Sequence, residues 1–307
     1  MPQSTVEQQL AQERVRGIAV PGWQKKLAYW LGRAGLYTLL LFLSLTFFIP
    51  FFWMISSSLK NDVQTYKIPP ILIPNPVRWE NYVEALTYLP WHIFFWNSIV
   101  KYSVPSTIGV LISSILSAYG FSRIRWRGRD MFFFICIATM MIPFQVTMVP
   151  LFITFRKLHW INTYLPLVVP SFFGSPYFIF LLRQFFLTIP QELSDAARID
   201  GCSELGVLFR IILPLSKPAL AVVGLFQFMW CWNDYLGPLI YLNEQSQFPI
   251  ALGLAALRAS ITSVSRMPLI WPYLMAASTT VLSPILIVFF FTQRTFIEGI
   301  TVTGMKG

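Results

Sequence analysis

Six blocks of apolar sequence, each about as long as a bilayer core is thick, decide what this chain can fold into. They cover 35–56, 97–120, 131–155, 163–187, 215–240 and 270–292. A helix needs about 20 mainly apolar residues to cross the hydrocarbon core, and its backbone polar groups then bond within the segment. The 307 residues are 55% apolar and only 12% charged, with a mean hydropathy of +0.60. The apolar residues run in blocks rather than in amphipathic periods. The expected fold class is therefore all-α: a polytopic membrane helical bundle of six transmembrane helices, not a barrel. The first, second and sixth blocks are sharply bounded. The border between the third and fourth is soft, and the fifth carries polar residues.

Six crossings put both termini on one side, and Lys and Arg placement says which. With the N-terminus inside, the inner segments hold 15 of the 23 basic residues, among them Arg123, Arg125, Arg127 and Arg129 directly after the second block. Arg156-Lys157 falls on the opposite side and fits this topology least well. The formal net charge of +10 reads as a basic inner surface facing anionic lipid, so no nucleic acid is called for. Residues 1–34 are polar and mixed in charge, without the apolar run and small-residue cleavage site of a signal peptide. They are expected to be a cytoplasmic segment ahead of an uncleaved anchor.

Cys136, Cys202 and Cys231 fall in expected spans or an inner loop and imply no disulfide framework. His92 and His159 stand alone, without metal-ligand spacing. The sequence contains no Gly-rich phosphate loop, no His-Glu-x-x-His and no serine nucleophile elbow. No catalytic residue, metal or cofactor is expected, and any energy must come from a partner.

Between the fourth and fifth blocks lies a polar insertion that a simple anchor would not need. Thr188 and Gln191 have capping-box spacing, with Pro190 in the first turn. Ala196 and Ala197 offer a low-relief surface for another backbone. Gly201 suits a left-handed helix stop, Ser203 can cap the next helix, and Pro214 limits its length.

Asp195-Ala196-Ala197, three residues, Gly201, nine residues, Ile211, one residue and Leu213-Pro214 resemble a motif of the membrane-spanning subunits of bacterial ABC-type importers. The family usually has Glu where this chain has Asp195, which keeps the charge on a side chain one methylene shorter. The resemblance implies the type I importer permease fold and a coupling loop over 188–214 that docks on an ATP-hydrolysing subunit. Asp195, Ala196, Ala197, Asp200, Gly201, Leu213 and Pro214 are its expected coupling residues. Other features resemble the sugar-transporting, maltose-type branch. They are Ser58-Leu59-Lys60, the Pro-rich run from Pro69 to Pro76, Asn81-Tyr82, Trp232-Asn233-Asp234-Tyr235 with Pro238-Leu239, and the ending Gly304-Met305-Lys306-Gly307. By this resemblance, 35–307 form the permease domain, with a shared core at 92–292.

Within the fifth block Gln227, Asn233 and Asp234 stand out. A charged group in a membrane helix costs on the order of 3 kcal/mol and usually faces a cavity or a partner. One reading has Asp234 lining a translocation path, with Trp230, Trp232 and Tyr235 as faces for sugar rings. The other places Asp234 at the outer interface with its aromatic neighbours as anchors. Gln145 and Asn97 are weaker candidates. The resemblance implies half of a carbohydrate pathway in the inner membrane. Its implied partners are a second, related permease, two copies of a cytoplasmic ATPase subunit and an extracytoplasmic solute-binding protein. Glycerol phosphate or another polar solute remains open as the cargo. A secondary transporter or a membrane-embedded enzyme is the alternative of a different class.

Overall fold

The structure is a computed structural model that describes residues 22–263 and 270–304. Expectations for 1–21 and for the last three residues of the Gly304–Gly307 ending lie outside the described residues. The chain divides into two compact units, 1–54 and 55–307. The first unit contains most of α1 (Gly22–Ser58), which is long and apolar enough to cross a membrane over Tyr29–Ser58.

The second unit opens with α2 (Glu80–Tyr88) and α3 (Trp91–Ser122), then a bent pair, α4 (Arg129–Met141) and α5 (Phe144–Lys157). After a short turn at Leu165–Val168 come α6 (Pro176–Thr188) and α7 (Gln191–Ile199). A second bent pair follows, α8 (Glu204–Leu215) and α9 (Lys217–Asn233). The chain ends through α10 (Leu236–Tyr241), α11 (Ile250–Ser263) and α12 (Ile270–Gly304). All regular elements among the described residues are helical. Among the described residues four helical segments are long and apolar enough to cross a membrane, in α1, α3, α12 and the Leu165–Thr188 segment that ends in α6, or six when each bent pair counts as one span.

Three expected blocks are not continuous helices. The block at 131–155 breaks by 94° between α4 and α5. Pro143 supplies no N–H and pushes Ile142 out of helical geometry, to ψ 112, as a residue preceding proline prefers. The block at 163–187 is interrupted at Gly174, whose φ of +102 suits only glycine. The block at 215–240 leaves the helix at Asp234 and restarts as α10. The 14 residues of α11 fall below the spanning length and were not among the expected blocks.

Prolines also shape the helices they do not break. α3 widens into a π-helical stretch at Asn97–Ser103, and α8 does so at Leu208–Ile212. Each stretch runs up to the residue before a proline, Val104-Pro105 and Leu213-Pro214. A proline ring crowds the carbonyl four residues back, and a wider turn relieves that clash.

The centre of the second unit is α3, packed on α6, on α9 and on the 3₁₀ turn Val169–Phe173. A Cβ on Gly109 would lie 2.5 Å from Ser171 Oγ, so only glycine permits that approach. Ser113 Oγ donates to the Ser171 carbonyl at 3.0 Å across the same contact. One apolar core joins α3, α6 and α9 to α7 and α8 through Ala118, Leu182, Phe186, Ala197, Leu208 and Val223. A second core gathers Trp91, Phe94, Trp232, Ile250, Leu257 and Ala277.

The loop ahead of α2 is held by the sequence features that resemble the sugar branch. Asn81, fully buried, donates to the carbonyls of Ser58 and Lys60, both at 2.8 Å. The Tyr82 hydroxyl meets Ser58 Oγ at 2.8 Å, and the Arg78 N–H bonds the Leu59 carbonyl at 2.9 Å. Glu84 receives the Arg78 guanidinium at 3.2 Å and the Tyr273 hydroxyl from α12.

Candidate functional site

The insertion between α6 and α9 folds as two short helices, and its glycine does what the spacing asked. Gly201 has φ +85; its N–H bonds the Arg198 carbonyl at 3.0 Å, and the Cys202 N–H bonds that of Ala197 at 2.9 Å. These two bonds form a Schellman cap, which satisfies the last carbonyls of α7. Ser203 Oγ then accepts from the Gly206 N–H at 3.2 Å and caps α8.

The entry to α7 differs from the expected capping box. Thr188 still belongs to α6 and donates to the Phe185 carbonyl at 2.7 Å. Ile189 and Pro190 are extended, with ψ of 131 and 135, Ile189 because a residue before proline avoids helical geometry. Gln191 is thereby released from capping and accepts from Arg123 at 2.8 Å.

The Ala-Ala pair also divides. Ala196 is exposed, but Ala197 is buried in the core with Val207 and Leu208, so it seats α7 rather than facing outward. Neighbouring positions on a helix point about 100° apart, which makes the split unavoidable. Leu213 is half-buried against the same core, whereas Asp200, Gly201 and Pro214 are exposed. Ile199, Leu205 and Phe209 extend the exposed surface with apolar side chains.

An ion-pair network that the motif does not mention ties the two short helices together. Arg198 meets Asp195 at 2.7 Å and Glu204 at 2.8 Å, the latter also through Nη2 at 3.2 Å. Glu204 in addition accepts from the Tyr119 hydroxyl of α3 at 2.7 Å. These bonds hold the Glu204 carboxyl below the usual glutamate range, Arg198 contributing most and Tyr119 next. At the end of α3 Arg123, almost fully buried, donates to the carbonyls of Phe186 and, at 2.6 Å, Ile189.

Toward the other end of α3 an open cavity of about 1000 Å³ is lined by Tyr102, Tyr177, Gln227, Trp230, Asn233 and Asp234, with Tyr235 at its edge. Asp234 sits at the C-terminus of α9. Its Oδ2 accepts the Tyr102 hydroxyl at 2.6 Å, and its Oδ1 accepts the Gly237 N–H at 3.0 Å. Gln227 donates to Cys231 Sγ at 3.2 Å, and Asn233 to the Met229 carbonyl at 2.8 Å. Four of the five expected pathway residues thus share one cavity. The fifth does not: Trp232 is 2% exposed, stacked on Phe228 within the second core. Helical geometry explains the difference. Positions 227, 230 and 234 follow i, i+3, i+7 spacing on one face, and 232 points about 200° away from 230.

Tyr102, Tyr177 and Ser175 also line the cavity, although nothing in their local sequence marked them. The available signal was generic: a tyrosine inside an apolar helix needs a partner for its hydroxyl. Asn97 is a packing residue, donating to the carbonyls of Ser246 and Phe248. Gln145 is exposed and apart from the cavity. A smaller cavity of about 600 Å³ shares Tyr235 and is lined by Arg258 and Ser278.

A bundle with several crossings, a polar two-helix insertion and a largely apolar cavity with a few polar groups between its helices defines a membrane transport subunit. The chain belongs to the family of binding-protein-dependent transport system inner membrane components, which matches residues 109–301. It is 37% identical over 241 residues to the arabinooligosaccharides transport system permease protein AraQ of Halalkalibacterium halodurans, covering 77% of this chain and 82% of the relative. It is 33% identical over 246 residues to the sn-glycerol-3-phosphate transport system permease protein UgpE of Yersinia enterocolitica, covering 78% and 85%. Its fold is similar to that of a chain in a bacterial ABC transporter involved in the import of the acidic polysaccharide alginate. That likeness has a TM-score of 0.74 at 24% identity, over 86% of this chain and 96% of the other. The protein is a multi-pass membrane permease subunit.

Proposed function

We propose that this permease forms half of the translocation pathway of an ATP-driven carbohydrate importer, with both termini cytoplasmic. The observation that carries the cargo is the lining of the larger cavity. Gln227, Asn233 and Asp234 supply hydrogen-bonding groups among the rings of Tyr102, Tyr177 and Trp230. Aromatic faces with a few polar groups suit a hydroxyl-rich, weakly charged solute. A carboxylate in the lining disfavours an anion. A second, related permease supplies the other half, and a binding protein delivers the solute from outside. Two ATPase subunits supply the energy, one docking on α7 and α8 through Ala196, Asp200, Gly201, Pro214 and the exposed apolar side chains. Asp195 contributes by fixing Arg198, and Leu213 and Ala197 by seating the helices. Residues 92–292 are the shared permease core.

One observation favours a different cargo: Arg258 in the smaller cavity, together with the UgpE relative, suits an anionic solute. Both readings are tested in proteoliposomes holding the whole transporter, with arabino-oligosaccharides and sn-glycerol 3-phosphate as probes. Uptake of the first and not the second is expected; the reverse overturns the carbohydrate reading. An affinity tag on the permease should bring down an ATPase subunit, and a probe at position 200 should be inaccessible from outside intact cells. Labelling there from outside would overturn the docking role.

A further inference from the structure

The loop at one end of the second unit and the cavity toward the other are both bonded to the same helix. In its last turn α3 offers Tyr119 to Glu204 at 2.7 Å, and Arg123, which caps it, bonds Gln191 at 2.8 Å and the Ile189 carbonyl at 2.6 Å. The two side chains grip the entry to α7 and the start of α8. Seventeen residues earlier, about 25 Å along a helix, Tyr102 donates to Asp234 at 2.6 Å. Between them α3 is continuous over Val104–Ser122, joined directly to the π-helical stretch Asn97–Ser103 that carries Tyr102, and closely packed against the turn at Ser171. Such an element moves as a body rather than bending. The covalent route from α8 into α9 instead passes through an 81° bend.

We propose that α3 transmits movement of α7 and α8 to the cavity, and that Tyr119, bonded to Glu204, is a positioning residue for that transfer. This rests on the reading of α7–α8 as the docking loop. Glu204 suits the task because one carboxylate serves both sides. Arg198 binds it within the loop through two bonds, and Tyr119 binds it from α3. When α7 and α8 shift together, their internal ion pair is unchanged and the strain falls on their contacts with α3, the Tyr119 hydroxyl beside the Arg123 bonds and the shared apolar core. The Tyr102–Asp234 bond at the far end then changes the width of the cavity.

The test uses the assembled transporter with Cys136, Cys202 and Cys231 replaced by serine and Asn233→Cys as a reporter in the cavity. Maleimide labelling is followed with and without ATP plus vanadate, which needs no knowledge of the solute. Tyr119→Phe removes only a hydroxyl from a ring held in the core and leaves the Arg198–Glu204 pair intact. The ATP-dependent change in labelling rate is expected to fall to about one-tenth, the scale of one lost bond to a charged group, at unchanged ATPase-subunit affinity. A wild-type response in Tyr119→Phe overturns the proposal. So does loss of ATPase binding, which would make Tyr119 merely structural, and so does a reporter that never responds to ATP. Gly201→Val in the same assay separates the two readings. If it abolishes the response while Tyr119→Phe does not, docking stands and transmission through Tyr119 fails. If both respond as wild type, the docking loop itself is misassigned.

Discussion

Three replacements at Gly201 separate what its backbone requires from what a docking partner requires. The residue sits at φ +85, and a Cβ added there would meet no atom within 4 Å. Internal clash therefore contributes nothing, and the cost is conformational. A left-handed residue bearing a Cβ costs roughly 1–2 kcal/mol. Asparagine tolerates that region and should lose least, alanine more, and β-branched valine most. A cost of about 1–2 kcal/mol is a factor of about 5–30 in the ratio of closed to opened cap. If the ATPase subunit docks only on the closed cap, its apparent Kd rises by up to that factor. The permease in nanodiscs is titrated with ATPase subunit, and uptake is measured beside ATP hydrolysis in proteoliposomes. Insertion into the membrane should be normal in all three variants. Affinity should fall in the order glycine, asparagine, alanine, valine, with uptake per ATP following it. Wild-type docking and coupling in Gly201→Val would refute the reasoning. Equal defects in the asparagine and alanine variants would refute the conformational part of it.

Asp234→Asn keeps an acceptor for the Gly237 N–H but weakens the 2.6 Å bond from Tyr102, so uptake should drop severalfold while assembly, measured by co-purification, is retained. Trp230→Ala should likewise lower uptake without lowering protein level. Trp232→Ala should instead cost about 3–5 kcal/mol of stability as a buried aromatic, read as lost protein and a lower melting temperature. The Glu204 pKa is depressed, so its contribution is complete above the ordinary glutamate value and is lost as pH falls through the lower folded value. Amides at 196–202 should therefore exchange faster only in acid below the ordinary glutamate range, and Glu204→Gln should remove that dependence.

Much of the architecture was legible because lipid imposes length and composition on whatever crosses it. The helices at Trp91–Ser122 and Ile270–Gly304 overlap blocks read from hydropathy alone. The breaks were harder to see, since Pro143 alone does not say whether a helix will kink, widen or stop. Pro105 and Pro214 produced wide turns where Pro143 produced a corner. In the loop, Gly201 and Ser203 acted through their own backbones and were readable. Thr188 was not, because α6 runs through Thr188 itself, which denies it the extended geometry of an N-cap. In the cavity, Asp234 announced itself by its charge. Tyr102 came from α3, 132 residues away in sequence, and only tertiary packing could join the two. Trp232 was misplaced by reading a neighbouring cluster as one surface, when a helix turns its consecutive positions to different sides.

The bonds from Asn81 to Ser58 and Lys60 have a bearing on how this permease can be recombined with its relatives. Both donors of one amide are committed to carbonyls more than 20 positions upstream, and the adjacent Tyr82 is committed to the Ser58 hydroxyl. The two short signatures are therefore halves of one device. A chimera joined anywhere between 61 and 80 would take those halves from different parents and inherit a fastening only if both parents carry it. A join at 89–90 leaves the device whole, and swaps of the transport core are best cut there.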